Sequence, residues 1–233
     1  MLARMRSPRL VAAALLLVLA VATVVISGCS AGQRLGQSTV SSTITSGSPV
    51  ASSLTVGQAA FAADWRKAWT QQALWTRMAI LGVAENPAST PFALTRLART
   101  SSDMSALLAP SYGTAKAQAF GDLMTTHLDT TIAVVRAIKA GDAAGEASAE
   151  KSWYANAAGI SLLLAETNPS IDQTATNNAF KAYLVVTKQQ AVDRLASQYS
   201  ADVGDFDAVE GQALRLSDML STAIIKQFPD KVQ

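Results

Sequence analysis

The sequence predicts an all-α protein: an antiparallel bundle of about five long helices and one short helix, preceded by a flexible N-terminal tether. Beyond residue 56, apolar residues recur at alternating steps of three and four, which is the period of an amphipathic helix. Pro, Gly and Asn interrupt these segments, and no stretch alternates apolar and polar residues between hairpin turns as a strand would. We expect helices at 57–85, 91–109, 114–140, 142–168, 174–200 and 202–228.

The first 28 residues have the organisation of a secretory signal peptide. Three arginines and no acidic residue lie within residues 1–9, and residues 10–26 form an almost unbroken apolar run. These seventeen residues fall short of the about 20 that a membrane-spanning helix needs. A positive region, a short apolar stretch and a small-residue cleavage site are typical of a processed signal. We therefore expect residues 1–28 to be removed, with a retained transmembrane helix or ordinary secretion without a lipid as the alternatives.

The apolar run ends at the single cysteine of the chain, Cys29. Ile26-Ser27-Gly28-Cys29 resembles a bacterial lipobox, with a branched aliphatic residue, two small residues and the cysteine. The resemblance implies a lipoprotein in which Cys29 becomes the first residue and carries diacylglycerol and palmitate. It also implies a lipid anchor on the extracytoplasmic face of the cell membrane. No intramolecular disulfide can form, because there is no second cysteine.

Residues 29–55 are predicted to form a disordered, Ser/Thr/Gly-rich tether. From residue 30 to residue 53 only scattered aliphatic residues occur, too few to offset the entropy lost on ordering. A coil of this composition would hold the folded part on the order of 25–30 Å from the lipid. An edge strand at 39–45 is the alternative, and it is left open whether the Ser and Thr residues carry sugars.

The charge of the chain gives no indication of a nucleic-acid partner. Without the three leader arginines, sixteen Lys and Arg residues oppose seventeen Asp and Glu residues. The pI of about 8.8 therefore belongs mainly to the leader, and no basic surface is expected for phosphate contacts. Residues 56–233 are long enough to form one helical bundle domain with its own core.

The first predicted helix carries a stripe of core positions at three- and four-residue steps. Its members are Phe61, Trp65, Ala68, Trp69, Gln72, Thr76, Ala79 and Val83. Leu74 and Leu81 fall on the opposite face, which predicts a helix covered on two sides. Asn86-Pro87 ends this helix, because the residue before a proline is pushed out of the helical region.

The second, shorter helix is predicted to begin with Thr90 as its N-cap and Pro91 at its first helical position. Pro110 and Gly113 are expected to end it.

The remaining helices contain an internal similarity. Residues 120–169, shifted by sixty positions, lie over residues 180–229. The matching pairs are Phe120 and Phe180, Leu123 and Tyr183, Ile132 and Val192, Val135 and Leu195, Asp142 and Asp202, Ile160 and Leu220, Leu164 and Ile224, and Pro169 and Pro229. Each copy reads helix, break, helix, which predicts two tandem helical hairpins, arising either by duplication or from shared packing rules.

The breaks inside the two hairpins are expected at 140–142 and 200–202. Each break ends in an aspartate, Asp142 or Asp202, which is a favoured N-cap residue for the helix that follows.

His127 is the single histidine, which argues against most zinc sites and catalytic triads. It lies on the apolar face of its helix, one turn after Met124. One interpretation is a soft-metal, copper-type site in which Met78 joins these two residues. The other is a packed core histidine, because one His supplies one ligand and Met at helical spacing normally fills core space. We expect no metal and no cofactor.

Aromatic and polar residues on three predicted helices suggest a ligand pocket. Trp153 and Tyr154 are followed by Asn156, a combination suited to sugar or peptide recognition, although the aromatics can also pack as core and rim. Trp75 and Arg77 have the same ambiguity. If the helices converge on a cavity, the expected ligand-binding residues are Trp75, Arg77, His127, Trp153, Tyr154 and Asn156.

Carboxylates are available but are not arranged for catalysis. Arg77 can pair with Glu85, Asp122 or Asp129, or face solvent. Asp122 and Asp129 share a helix face, with no matching acidic pair to complete an acid–base site. The chain contains no phosphate loop, nucleophile elbow or CxxC motif. We therefore expect that it is not an enzyme.

Four short segments resemble a family of helical, extracytoplasmic bacterial proteins with no established activity. They are Leu74-Trp75-Thr76-Arg77, Lys139-Ala140-Gly141-Asp142, Trp153-Tyr154-Ala155-Asn156 and Ile225-Lys226-Gln227-Phe228-Pro229. The resemblance assigns no functional residue. The expected function is a membrane-anchored binding or scaffolding module at the cell envelope that recognises an envelope protein or a small ligand. The alternative is soft-metal handling or an enzyme activity around His127. The ligand, the partner and the oligomeric state stay open.

Overall fold

A computed structural model describes residues 54–232, and in this part of the chain it contains α-helices and no strand. The six helices are α1 (Val56–Glu85), α2 (Thr90–Tyr112), α3 (Thr114–Ala140), α4 (Ala143–Thr167), α5 (Gln173–Leu195) and α6 (Tyr199–Gln227). The predicted all-α bundle is confirmed. Cys29, the signal segment and the tether up to residue 53 lie outside the described residues. None of the six helices is long and apolar enough to cross a membrane.

The helices form a closed antiparallel ring. Connections of one to five residues join consecutive helices, so each helix packs against the next one in the opposite direction. Helix α6 returns to pack against α1 and closes the ring. Helices α1, α3 and α5 also contact one another. These three therefore form the centre of the bundle, and α2, α4 and α6 cover the grooves between them.

Aromatic side chains of the central helices make up the main core. Trp65 and Phe120 meet edge to face with ring centroids 6.5 Å apart. Trp69 lies 6.0 Å from Phe180 and 6.2 Å from Tyr183. All five are fully buried, and each contributes about 1.5–3 kcal/mol by leaving water. The stripe predicted for the first helix is confirmed at its centre.

The outer face of α1 differs from the prediction. Leu74 remains 38% exposed and Leu81 is only partly buried, so the expectation that α1 is covered on two sides is wrong. The reason is topological: the neighbours of α1 are α2 and α6 on its flanks and α3 and α5 on its inner side.

Helix caps follow the sequence at four helix ends. Thr55 and Gln58 form a reciprocal capping box at the start of α1. Asn86 ends α1 in the left-handed conformation, with φ at 54°. Gly141 ends α3 in the same way, and Asp142 accepts a hydrogen bond from the Gly145 backbone N–H at 2.9 Å. These contacts satisfy polar groups that helix ends otherwise leave unpaired.

Helix α2 departs from the prediction at both ends. Its N-cap is Ser89, and Thr90 is already helical, donating its hydroxyl to the carbonyls of Gly82 and Pro87. The helix also continues past Pro110 to Tyr112. A proline near the end of a helix removes only one hydrogen bond, so α2 has 23 residues, as many as α5. Helix α2 is therefore longer than the predicted 91–109, within the confirmed six-helix bundle.

The predicted break at 200–202 is also displaced. Helix α5 ends at Leu195, Ser197 adopts a positive φ of 60°, and α6 begins at Tyr199. Asp202 consequently lies in the first turn of α6 and is no N-cap. Its carboxylate is buried against two arginines, which lie on α1 and α5 and are described below.

The two predicted hairpins are α3–α4 and α5–α6. Three of the sequence-matched pairs are buried in both copies: Phe120 and Phe180, Ile160 and Leu220, and Leu164 and Ile224. The copies differ at the aspartates, because Asp142 is an exposed cap and Asp202 is buried. Whether the copies arose by duplication stays a prediction.

Candidate functional site

The six residues expected to line one cavity lie in three separate places. His127, Trp153 and Asn156 meet in the core, with Tyr154 at its edge. Arg77 belongs to an ion-pair cluster at the start of α6. Trp75 lies on the α1 surface beside α2.

His127 is a packed core residue, 1% exposed. Asn156 donates from Nδ2 to the Leu123 carbonyl at 3.0 Å, which leaves its Oδ1 to accept from His127 Nδ1 at 3.1 Å. Nδ1 therefore carries the imidazole proton. The ring packs 6.0 Å from Trp153. Burial lowers the pKa of His127 to about 4, and the hydrogen bond to Asn156 opposes part of this shift.

The positions of His127 and its possible partner residues do not favour the soft-metal hypothesis. Between residues 54 and 232, no three His, Cys, Asp or Glu side chains come together as a metal site. Met124 is buried, whereas Met78 is 41% exposed on the outer side of α1. Trp153 is as deeply buried as His127, so neither side chain can form the wall of an open pocket.

Arg77 holds α6 against α1. Its Nη1 and Nη2 donate to the two carboxylate oxygens of Asp202, each at 3.0 Å, and Nη1 also contacts the Asp202 carbonyl. Arg194 lies 3.5 Å from the same carboxylate and also pairs with Glu85. The guanidinium of Arg77 lies 4.9 Å above the Phe206 ring.

The partners expected for Arg77 are therefore wrong. Glu85 pairs with Arg194, Asp122 accepts a hydrogen bond from Gln118, and Asp129 lines a different groove between α2 and α3. The carboxylate of Asp202 reaches Arg77 because the hairpin α5–α6 folds back onto α1. The spacing of residues in the sequence does not reveal this contact.

Trp75 lies beside a surface groove between α1 and α2. Its Nε1 donates to Gln71 Oε1 at 3.2 Å, and the Arg96 guanidinium lies 5.2 Å from its ring. Arg96 Nη2 lies 3.4 Å from the same Gln71 oxygen, and Nη1 lies 3.7 Å from Asp103. A cation–π contact, an amide and a carboxylate thus hold Arg96 in one orientation.

The groove has a volume of about 350 Å³, within the range of small-ligand sites. The wall formed by α1 consists of Asp64, Lys67, Ala68 and Gln71, and the wall formed by α2 consists of Arg96, Thr100, Asp103 and Leu107. Two basic and two acidic side chains therefore share one concave surface with two apolar ones. We call this surface the α1–α2 groove.

Sequence reasoning missed most of this groove. Asp64, Lys67, Gln71 and Trp75 recur at steps of three and four, so the polar stripe of α1 was visible in the sequence. A second polar stripe on α2 contains Arg96, Thr100 and Asp103. The sequence cannot show that the two stripes face each other, because this depends on how α2 is rotated against α1.

In comparisons with protein-family models, curated proteins and solved structures, nothing matched this chain. Its function is therefore inferred from its residues and their geometry.

Proposed function

We propose that the protein is a lipid-anchored, extracytoplasmic binding module that holds a ligand of the cell envelope in the α1–α2 groove. The observation that carries this proposal is the fixed guanidinium of Arg96, held by Trp75, Gln71 and Asp103 at the wall of a concave surface. Ligand sites typically combine a concave shape with a few polar groups in fixed positions.

Binding is favoured over catalysis by the residue types in the groove. Its lining contains no His, Cys or Ser, and Thr100 is its single hydroxyl side chain. A nucleophile needs an adjacent base, and general acid–base work needs a group of suitable pKa within reach of substrate. The groove instead offers charges that can pair with a charged ligand.

The lipid anchor is supported by the lipobox-like Ile26-Ser27-Gly28-Cys29 and the preceding apolar run. A clickable fatty acid supplied to cells that express the protein should label the wild type and leave Cys29→Ala unlabelled. Equal labelling of the two proteins would contradict the anchor.

The binding role is tested by thermal-shift screening of the full chain in detergent against peptides, sugars, copper and zinc. A ligand that binds only the folded state raises the melting temperature. The double variant Asp64→Asn, Lys67→Gln should lose the shift that a groove ligand produces. The double variant Lys151→Gln, Glu166→Gln removes two exposed charges from α4 and should keep it. Equal stabilisation of the wild type and the groove variant by every ligand would contradict the groove, and stabilisation by copper would favour metal handling.

A further inference from the structure

We propose that the ligand of the α1–α2 groove is a short peptide with a free ammonium at one end and a free carboxylate at the other. This inference rests on the proposed function of the groove and adds the chemical class of its ligand.

The order of charges along the groove separates an acidic end from a basic one. Asp64 lies at one end of the α1 wall, Lys67 follows one turn later, and Gln71 lies one turn beyond that. The contact between Gln71 and Arg96 places the guanidinium at the level of Gln71. A ligand lying along the groove therefore meets the carboxylate of Asp64 at one end and, toward the other, Lys67 and then Arg96, whose charge Asp103 partly balances.

The charges at the acidic end and in the middle are available to a ligand. Asp64 and Lys67 are exposed, and neither side chain has a partner among residues 54–232. Asp103 differs, because Arg96 and Arg99 both lie within 4 Å of its carboxylate, at 3.7 and 3.6 Å. Asp103 thus orients Arg96, whereas Asp64 and Lys67 can pair with ligand charges without breaking an existing contact.

The spacing of the charged ends fits about three peptide residues. Asp64 and Gln71 are seven residues apart, so the helix rises about 10 Å between them. An extended peptide rises about 3.3 Å per residue, so three residues cover this distance. A single amino acid would reach one end and leave the other charge unpaired.

Apolar groups also line the groove. Ala68 on α1 and Leu107 on α2 contribute the aliphatic surface of the groove. Small apolar side chains such as alanine can pack against these residues within about 350 Å³, whereas the space is narrow for several large ones. Trialanine is therefore a suitable probe.

The test is isothermal titration of the full-length protein in detergent with trialanine at low ionic strength. We expect the wild type to bind, and Asp64→Asn and Arg96→Gln, which remove the charges at the two ends, each to weaken binding about fivefold, as for a surface ion pair of about 1 kcal/mol. Lys151→Gln and Glu166→Gln should bind as the wild type does. Raising the salt concentration should weaken binding, because exposed charges are screened.

Blocked peptides identify which end of the ligand meets which residue. N-acetyl-trialanine lacks the ammonium, so Asp64→Asn should not weaken the binding of this peptide further. Trialanine amide lacks the carboxylate, so Arg96→Gln should not weaken the binding of that peptide further. Such non-additivity is the signature of a direct contact. Equal binding of trialanine and a peptide blocked at both ends would overturn the proposal, as would equally tight binding of free alanine.

Failure of this inference can be told from failure of the proposed function. If trialanine does not bind, but a sugar or another probe stabilises the wild type and not the Asp64→Asn, Lys67→Gln variant, the ligand class is overturned and the groove remains a binding site. If no probe distinguishes the two proteins, both proposals are overturned.

Discussion

Buried polar side chains occur on all six helices, and those of the three central helices lie deep in the bundle. Thr76 of α1, His127 of α3, and Thr187 and Gln190 of α5 are all buried. Along these helices they lie where the main aromatic core gives way to a smaller aliphatic core built around Ile80, Leu128 and Ala191. Burial also raises the pKa of Tyr183 to about 12. Each polar group here needs a partner, because an unpaired buried group destabilises the fold.

Protonation of His127 should destabilise the fold at acidic pH. Burial lowers its folded-state pKa to about 4, while the unfolded value is about 6.5. The unfolded state therefore binds the proton first, and stability falls as the pH drops from about 6.5 toward 4, by up to about 3 kcal/mol. Urea unfolding of the wild type and His127→Gln at pH 7 and pH 4.5 checks this. The wild type should lose more stability than the variant, and equal losses would contradict the expectation.

Replacement of Gln72 should stabilise the protein. Its side chain is completely buried, and neither its amide nitrogen nor its oxygen has a hydrogen-bond partner. Gln72→Met keeps the shape and removes the unpaired polar groups, so we expect a gain of about 1 kcal/mol in unfolding free energy. Gln189→Met, on the exposed side of α5, serves as the control and should have little effect. A lower urea midpoint for Gln72→Met would show that the amide is satisfied in solution.

Contacts between elements hold helix ends in place and affect how closely the helices pack. The cluster of Arg77, Arg194 and Asp202 joins α1, α5 and α6, and Asp202 is 1% exposed. Gly121 on α3 lies against Ser105 of α2, so that an added Cβ would come within 3.0 Å of the Ser105 Cβ. The first contact secures the start of α6, and the second lets α2 and α3 approach closely.

Loss of the Asp202 carboxylate should loosen the start of α6. Asp202→Asn leaves Arg77 largely buried without its counter-ion and leaves Arg194 with Glu85 alone, and breaking a buried pair in this way costs about 3–5 kcal/mol. Hydrogen exchange should become faster in the first turns of α6, and the urea midpoint should fall. Asp218→Asn breaks the exposed pair between Arg66 and Asp218 and should hardly change the midpoint. Similar losses in the two variants would contradict a specific role for Asp202.

Replacement of two glycines by alanine should change stability differently. Gly211→Ala places its methyl group in open space on α6 and should stabilise by about 1 kcal/mol through helix propensity. Gly121→Ala has the same propensity gain, but its methyl group meets Ser105, so the thermal midpoint should not rise. An equal rise in both variants would show that α2 and α3 are not closely packed at this position.

The closed ring should make the bundle unfold as one unit. Trp65, Trp69 and Trp153 belong to one core, while all six helices contribute to circular dichroism. Because α1 contacts α2, α3, α5 and α6, no hairpin can leave without exposing the shared core. Tryptophan fluorescence and circular dichroism should therefore give coincident denaturation curves. Two separated transitions would indicate that the α3–α4 and α5–α6 hairpins unfold independently.

The helices could be predicted from the periodic spacing of residues, whereas the long-range contacts between helices could not. Trp65, Trp69 and Thr76 share a face because the helical period places them there, and Gly141 and Asp142 separate two helices by local backbone preference. The site was predicted as a single cluster, yet Trp75 lies on the surface of α1 and His127 lies buried in the core. Residues that share a helix face can be identified from spacing, whereas residues on different helices require the packing angle and rotation of each helix.

The sequence by itself determined that residues 56–227 form helices, which side of each helix is apolar, and which residues end several of them, because these properties depend on neighbours within a few positions. The tertiary structure alone decided that α6 closes onto α1, that Asp202 pairs with Arg77, and that Arg96 contacts Gln71 in a groove between α1 and α2. Those outcomes depend on how six helices share one buried centre, and no local pattern in the chain records that arrangement.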